Sequence, residues 1–355
     1  MYEKKGKKTG KPAPKLTALA ELGEFGLIDR LTKNISIHNP ATLKGIGDDA
    51  AVIDPGNKLV LVSTDLLVEG IHFDMTYTPL KHLGYKSVVV NVSDIAAMNG
   101  VPGQITISMA ISSRFPAEAL DEIYEGIKLA CQKYRVDLVG GDTSSSTIGL
   151  MISATILGEA DKDEIVYRNG AKPGDLLCVT GDLGSAYVGL LLLEREKKVF
   201  QINPGMQPEL AGFDYQVGRI LKPEARADFR AVLQEIDMKP TSMIDISDGL
   251  ASETLHLCKQ SDVGCKIYEN KIPIDAYTRE VAIDFNIIPT VAALSGGEDY
   301  ELLFTIPQND YEKVKDVAGI SVIGHMTAPG TGRFLVTPEG KESKLTAQGW
   351  DSCKS

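Results

Sequence analysis

The chain predicts an α/β protein of mixed α+β type, built as two domains. Three observations carry that reading. Its 355 residues exceed what one ordinary hydrophobic core accommodates. Short apolar runs of strand character alternate with longer stretches of helical periodicity. A polar segment bearing glycine and proline interrupts this alternation near the middle, after which the pattern begins again.

In the first half, 58–64 (KLVLVST), 104–111 (QITISMAI) and 150–157 (LMISATIL) read as strands. Helical patterns lie between them at 80–99 and 116–134. The second opens on Pro116, whose fixed φ suits a first turn, and acidic residues follow where a helix N-terminus favours negative charge. Residues 160–174 (ADKDEIVYRNGAKPG) form the interruption. Beyond it, strands are predicted at 175–180, 242–246, 264–269, 300–306 and 320–325, with helices from 185, at 249–260 and at 309–317. The resulting division is a basic tail over 1–20, an N-terminal domain over 21–159 and a C-terminal domain over 160–355.

Composition narrows the function classes. With 43% hydrophobic and 24% charged residues the chain is globular. No stretch of about 18 uncharged apolar residues occurs, so no helix spanning a membrane is expected. LLCVTGDLGSAYVGLLLLE comes nearest, and Asp182 and its glycines break it. The start carries Lys4, Lys5, Lys7, Lys8, Lys11 and Lys15 against Glu3 with no apolar run behind them, unlike a secretory signal. That tail contributes +5; taking it from the net −11 leaves −16 on the remainder. So acidic a body is a poor partner for nucleic acid, and it would repel any polyphosphate unless cations intervene. The five cysteines, Cys131, Cys178, Cys258, Cys265 and Cys353, are odd in number and include no CxxC pair, as expected of reduced thiols in a cytoplasm.

The chain has no GxxxxGK[ST] loop and no HRD or DFG set. Gly45-Ile46-Gly47-Asp48-Asp49-Ala50 imitates a dinucleotide fingerprint. However, no apolar strand precedes it, and two carboxylates would face the pyrophosphate. What the chain has instead is acid at the predicted ends of elements. Asp48 and Asp49 sit in a glycine turn, and Asp65 ends a strand after Ser63 and Thr64. Asp94 follows Asn91 by one helical turn, and Asp142 follows Gly140-Gly141. Asp245 and Asp248 flank Ser247 where a strand gives way to a helix. Any one of these suits a cap or a turn. Together, in a chain without Cys/His clusters, they point to hard-cation chemistry, since Mg²⁺ pairs one or two carboxylates with substrate phosphates.

The segments GEFGLIDRL, GIGDDAAV, STDLLVEGIHF, NVSDIAAMNG, GGDT, RNGAKPGD, IDISDGL and SGGEDYELLF, in this order, resemble the thiamine-monophosphate kinase family. The resemblance runs from Gly23 to the last few residues. It implies the fold of the aminoimidazole-ribonucleotide-synthetase superfamily, in which the N-terminal domain pairs with its twofold mate and ATP lies across a cleft at the homodimer interface. It also implies transfer of a phosphoryl group from ATP to thiamine monophosphate, assisted by several Mg²⁺ ions. By the resemblance Asp49, Ser63, Thr64, Asp65, Asp94, Asp142 and Asp245 hold the metal ions, and Asp248 holds a further one. Gly141, Asp142, Arg168 and Ser247 contact ATP. His72, Glu298 and Trp350, the one tryptophan of the chain, contact the thiamine monophosphate. No general base is implied, because the attacking phosphate oxygen is already ionised at neutral pH.

Departures accompany the likeness. Met98-Asn99-Gly100-Val101-Pro102 lacks the acidic residue that often precedes this proline, and 196–222 reads as longer or divergent. Plainer roles also stand beside the functional ones: His72 as a histidine at a strand end, Arg168 as a loop cation, Glu298 and Asp299 as turn caps. Other ATP-using members of the superfamily remain alternatives, namely purine-pathway synthetases, selenophosphate synthetases and hydrogenase-maturation proteins. Selenophosphate synthesis expects a reactive cysteine in an N-terminal loop, whereas the first cysteine here is Cys131, within a predicted helix. A non-catalytic module binding nucleotide and metal is the more distant alternative.

Overall fold

The structure is a computed structural model that describes Thr17 and residues 30–44 and 52–347. A short ribbon of β1 (Thr42–Lys44) and β2 (Val52–Ile53) precedes β3 (Leu59–Val68). Helix α1 (Leu80–Ala97), β4 (Val101–Ile111), helix α2 (Ala117–Tyr134), β5 (Asp137–Ser145) and β6 (Met151–Ala160) complete the first half. The second half runs β7 (Leu176–Thr180), α3 (Ser185–Ile202), α4 (Asp214–Leu221), α5 (Phe229–Glu235), β8 (Ser242–Asp245), α6 (Leu250–Ser261) and β9 (Gly264–Tyr268). It closes with α7 (Ala276–Asp284), α8 (Pro289–Ser295), β10 (Leu302–Ile306), α9 (Tyr311–Val314), β11 (Ile320–Thr327), β12 (Arg333–Val336) and β13 (Glu342–Lys344).

Two sheets organise these elements. The first has the order β3-β6-β4-β5, antiparallel except for the parallel pair β4/β5. A parallel pair needs a crossover, and α2 supplies it. The second has the order β13-β12-β9-β11-β7-β10-β8, with β9/β12 as its parallel pair. Helices cover one face of the first sheet. On β3 the other face presents Val60, Val62 and Leu66, of which Val62 is 66% exposed.

Most predicted elements are present, and the differences are physical. β3 continues through Leu66-Leu67-Val68, so Asp65 lies inside the strand opposite Ala154 and does not end it. Asp142 likewise lies inside β5, opposite Ser108. The helix expected at 309–317 shortens to a 3₁₀ turn at Gln308–Asp310 followed by α9. Among the described residues no helix is long and apolar enough to cross a membrane.

From Leu83 to Ala97 every residue of α1 except Asp94 is buried. The helix packs against α2, against β3, β6 and β4, and against β8 of the second half. Ala97 belongs to the same apolar cluster as Phe229 and Phe304. The approach of α2 depends on glycine: a Cβ at Gly126 would lie 1.9 Å from the Lys81 carbonyl oxygen, and one at Gly84 would lie 1.9 Å from that of Ile123. In a free helix Gly→Ala gains about 1 kcal/mol. Here the clash is with backbone and outweighs that gain. Gly126→Ala is therefore expected to destabilise by about 1–3 kcal/mol, the usual cost of overpacking. Urea unfolding measures it, and an unchanged midpoint would show that the helices part without strain.

Candidate active site

Three carboxylates, those of Asp65, Asp94 and Asp245, lie within electrostatic reach of one another where α1 runs between β3 and β8. Strand alternation turns Ser63 and Asp65 of β3 toward the helix and Thr64 to the opposite face, where it donates to Ala154 O (3.0 Å) and accepts from the Thr155 hydroxyl (3.0 Å). Asp94 projects from α1 and accepts from the Ser63 hydroxyl. Asp245 ends β8, is buried, and accepts from the Ser93 hydroxyl at 2.7 Å. Consecutive residues of one helix thus reach into both halves of the molecule.

Electrostatics mark these groups as unneutralised. Burial, then Asp94 and Glu298, push the Asp65 carboxyl up to about 6. Burial, then Asp94, push Asp245 up to about 7, against the opposing influence of Ser93 and Arg168. Asp94 is raised by burial, offset by the Ser63 hydroxyl and Arg168. Among the described residues none of the three has a cation within ion-pair distance. Nearby, Asp248 is raised by burial, and its backbone N–H donates to Glu253 (3.2 Å), whose carboxyl burial pushes up to about 8.

The cluster opens on a hollow of about 460 Å³. Ser63, Asp94, Arg168 and Asn169 form its polar side, and Ile95, Met98 and Met243 part of its apolar side. Tyr167 also lines it. Arg168, which lines it, and Ser247 are both exposed.

A second group lies within electrostatic reach of Asp65. His72 follows β3 in a turn, and its Nδ1 accepts from the Val68 backbone N–H at 3.1 Å, so the neutral ring carries its proton on Nε2. Burial holds this imidazole below its ordinary range. Glu298 pairs with Lys86 of α1 at 2.6 Å and accepts from the Tyr300 hydroxyl at 3.3 Å. Its backbone is left-handed, with φ 62°, and so is that of Tyr300, with φ 52°. Such conformations are costly for non-glycine residues and persist where surroundings enforce them. Here the Glu298 N–H donates to Ser247 O (2.7 Å) and the Tyr300 N–H to Ile246 O (2.9 Å). Gly297 permits the close approach, since a Cβ there would lie 2.5 Å from Ser247 O.

Beneath this loop lies a buried ionic network. Asp299, for which a turn cap is the plainer expectation beside a ligand-facing role, is buried and accepts from the Gly184 N–H at 2.9 Å. Arg219 of α4 lies 3.0 Å from Glu301 and 3.6 Å from Asp299, and Arg226 bonds Glu301 twice. The directions differ. Glu301 is held low despite burial by two guanidinium groups, whereas burial raises Asp299, more distant from its single Arg, to about 7. The divergent stretch 196–222 thus ends in a residue that braces the loop.

Not every predicted site residue joins the cluster. Register places Asp65, Ala154, Ile107 and Gly141 in one row across the sheet. Gly141 and Asp142 therefore stand three strand spacings from Asp65, about 14 Å, too far to share one ion with it in a single chain. Asp49 and Trp350 lie outside the described residues. Among the described residues no three His, Cys, Asp or Glu side chains converge as a ready-made metal site. The donor set still fits Mg²⁺, which uses few protein carboxylates and completes its shell with phosphates and water. Sequence reasoning missed Lys86, Ser93 and Arg219. The signal for Lys86 was present, because it and Asp94 are the sole charges in an otherwise uncharged run from Leu83 to Ala97.

Comparison with known proteins places this arrangement. Residues 47–160 match the family described as AIR synthase related protein, N-terminal domain, and 172–337 match its C-terminal domain. Two α/β domains sharing an acidic cleft are thus of the AIR synthase related class. A thiamine-monophosphate kinase of Aquifex aeolicus (strain VF5) is 36% identical, covering 94% of this chain and 98% of its own. That of Bacillus subtilis (strain 168) is 32% identical, covering 94% and 100%. The solved structure of AaThiL complexed with AMPPCP and TMP is 35% identical, with TM-score 0.72, covering 94% of this chain and 98% of that one. A hydrogenase maturation protein in complex with ATP, at 18% identity and TM-score 0.73, shares the fold alone. The chain belongs to the thiamine-monophosphate kinase family.

The ionic network yields a stability prediction. Arg219→Met leaves Asp299 without its cation and Glu301 with one of two, both carboxylates being buried. Breaking such a network from one side costs about 3–5 kcal/mol. Chemical denaturation is expected to show a loss of that order, and a loss below about 1 kcal/mol would place the network in solvent-screened surroundings.

Proposed function

We propose that the protein transfers the terminal phosphoryl group of ATP to thiamine monophosphate, giving thiamine diphosphate and ADP. The observation that carries this reading is the juxtaposition, at Asp65, of an unneutralised carboxylate cluster opening on a hollow and a separate group made by His72, Glu298 and Lys86. The first suits a metal–polyphosphate, and the second suits an acceptor. The family relationship supplies the identity of both substrates.

In this reading Asp65, Asp94, Asp245 and Asp248, with the Ser63 hydroxyl, would hold Mg²⁺, and Asp49 would join them. Bound Mg²⁺ supplies neutralisation of phosphate charge, which is the main obstacle when two polyanions react. Arg168 would take a phosphate of ATP through its planar guanidinium, and Ser247 would contact it by hydroxyl. The apolar side of the hollow, with Ile95 and Met243, suits the base. His72 Nε2–H would donate to the acceptor, Glu298 would accept from it or face its cationic ring, and Trp350 would lie against that ring. The nucleophile is an ionised phosphate oxygen, so no side chain removes a proton. These residues work by orientation and charge.

The exposed apolar residues Val60, Val62 and Leu66 of β3 support pairing with a second copy, and such a homodimer gives Gly141 and Asp142 a route to a site built between copies. The N-terminal domain would then bind ATP, metal and its mate, while the C-terminal domain completes the acceptor site. Four described cysteines are free and buried, which supports a cytoplasmic setting.

Incubation with ATP and Mg²⁺ tests the reaction. Thiamine monophosphate is expected to give thiamine diphosphate, and free thiamine, whose hydroxyl needs a base, is expected to give none. Direct formation of the diphosphate from thiamine would sink the reading. Asp94→Asn is expected to cut turnover about 100-fold or more without rescue by excess ATP. For the dimer, Val62→Asp places a charge among the exposed apolar residues of β3 and is expected to shift sedimentation from dimer to monomer. A wild-type chain that sediments as a monomer would remove the pairing.

A further inference from the structure

Lys86 is 3% exposed, in the middle of a helix buried on all sides. A buried ammonium group is costly unless paired, so its partners carry information. Both belong to the acceptor group: Nζ lies 2.6 Å from Glu298 Oε2 and donates to the His72 backbone carbonyl at 3.4 Å. One rigid helix position thus ties together two segments from opposite halves of the molecule, the turn after β3 and the loop before β10.

The bond pattern at Glu298 shows what the tie accomplishes. Lys86 and the Tyr300 hydroxyl both engage Oε2. Among the described residues no donor engages Oε1, and the side chain is 26% exposed, so one carboxylate oxygen remains for a ligand. Glu298 also raises the Asp65 and Asp248 carboxyls electrostatically, so the direction in which its own carboxylate is held bears on both groups. The left-handed Glu298 backbone fixes where the side chain starts, and Lys86 fixes where it ends.

We propose that Lys86 is a positioning residue for acceptor recognition: by pairing with Glu298 and holding the His72 turn, it aims one carboxylate oxygen at a cationic heteroaromatic phosphate ester. The inference rests on the reading given under Proposed function and deepens it, since neither motif resemblance nor family matching assigns this lysine a role.

Steady-state kinetics and calorimetric titration of the full chain with thiamine monophosphate test it. Lys86→Met is expected to raise KM and Kd for thiamine monophosphate about tenfold or more, with KM for ATP held and kcat falling far less. Lys86→Arg is expected to recover part of the affinity, because it keeps the charge with altered geometry. Glu298→Gln is expected to reproduce the loss, and the double variant Lys86→Met/Glu298→Gln to be no worse than either single one, as coupled residues behave. Equal rises in both KM values, additive losses in the double variant, or unchanged acceptor affinity in Lys86→Met would overturn the proposal. Should Lys86→Met fail to fold, Lys86→Arg and Glu298→Gln decide by the same KM split. A wild-type chain that neither binds nor converts thiamine monophosphate overturns the functional reading and this inference with it. One that binds it, with Lys86→Met binding equally well, overturns this inference alone.

Discussion

A helix with no solvent-facing side sets the terms for this molecule. Between Leu83 and Ala97, α1 must find apolar or hydrogen-bonded surroundings in every direction, and it does so only by lying between the first sheet, α2 and strand β8 of the second half. Two charges within that stretch sharpen the requirement. Lys86 and Asp94 are tolerable there only because the chain folds partners onto them from elsewhere, Glu298 for one and the Ser63 hydroxyl for the other. Ser93 adds a bond to Asp245, the last residue of β8. The site is therefore assembled by the same contacts that join the halves.

The loop before β10 shows how strain is maintained. Glu298 and Tyr300 adopt left-handed backbones that L-residues disfavour, and each is held by a backbone bond to the 246–247 segment. Arg219 and Arg226 hold the loop from beneath, and Lys86 holds it from the side. A buried ionic network is a weak source of net stability but a strong source of definition, because any other arrangement leaves a charge unpaired.

Much of the fold was legible in the sequence, and the failures have specific causes. Apolar runs marked β4, β6, β7 and β8 well, because those strands are buried along most of one face. β5 was unread: its two glycines and polar end lack strand character, and it becomes a strand through parallel pairing with β4 across the α2 crossover. Asp65 and Asp142 were placed at element ends because acids favour turns. Inside a strand Asp142 is accommodated by exposure to solvent, whereas Asp65 is largely desolvated and its carboxyl is pushed up. The cluster of Asp65, Asp94 and Asp245 followed from motif resemblance, whereas Ser93, Lys86 and Arg219 did not. Their partners are remote in sequence, and only the packing of α1 and α4 brings them together.

The bonds that α1 makes to the second half have a dynamic consequence. Swinging the two halves apart would separate Ser93 from Asp245 and Lys86 from Glu298, and would lift Ala97 out of its cluster with Phe229 and Phe304. Each separation exposes apolar surface or strands a charge, so a wide clamshell motion carries the cost of partial unfolding. Tyr167, Arg168 and Asn169, exposed where they line the hollow, take no part in these ties, so the bonds that hold the halves together leave the mouth of the hollow unconstrained.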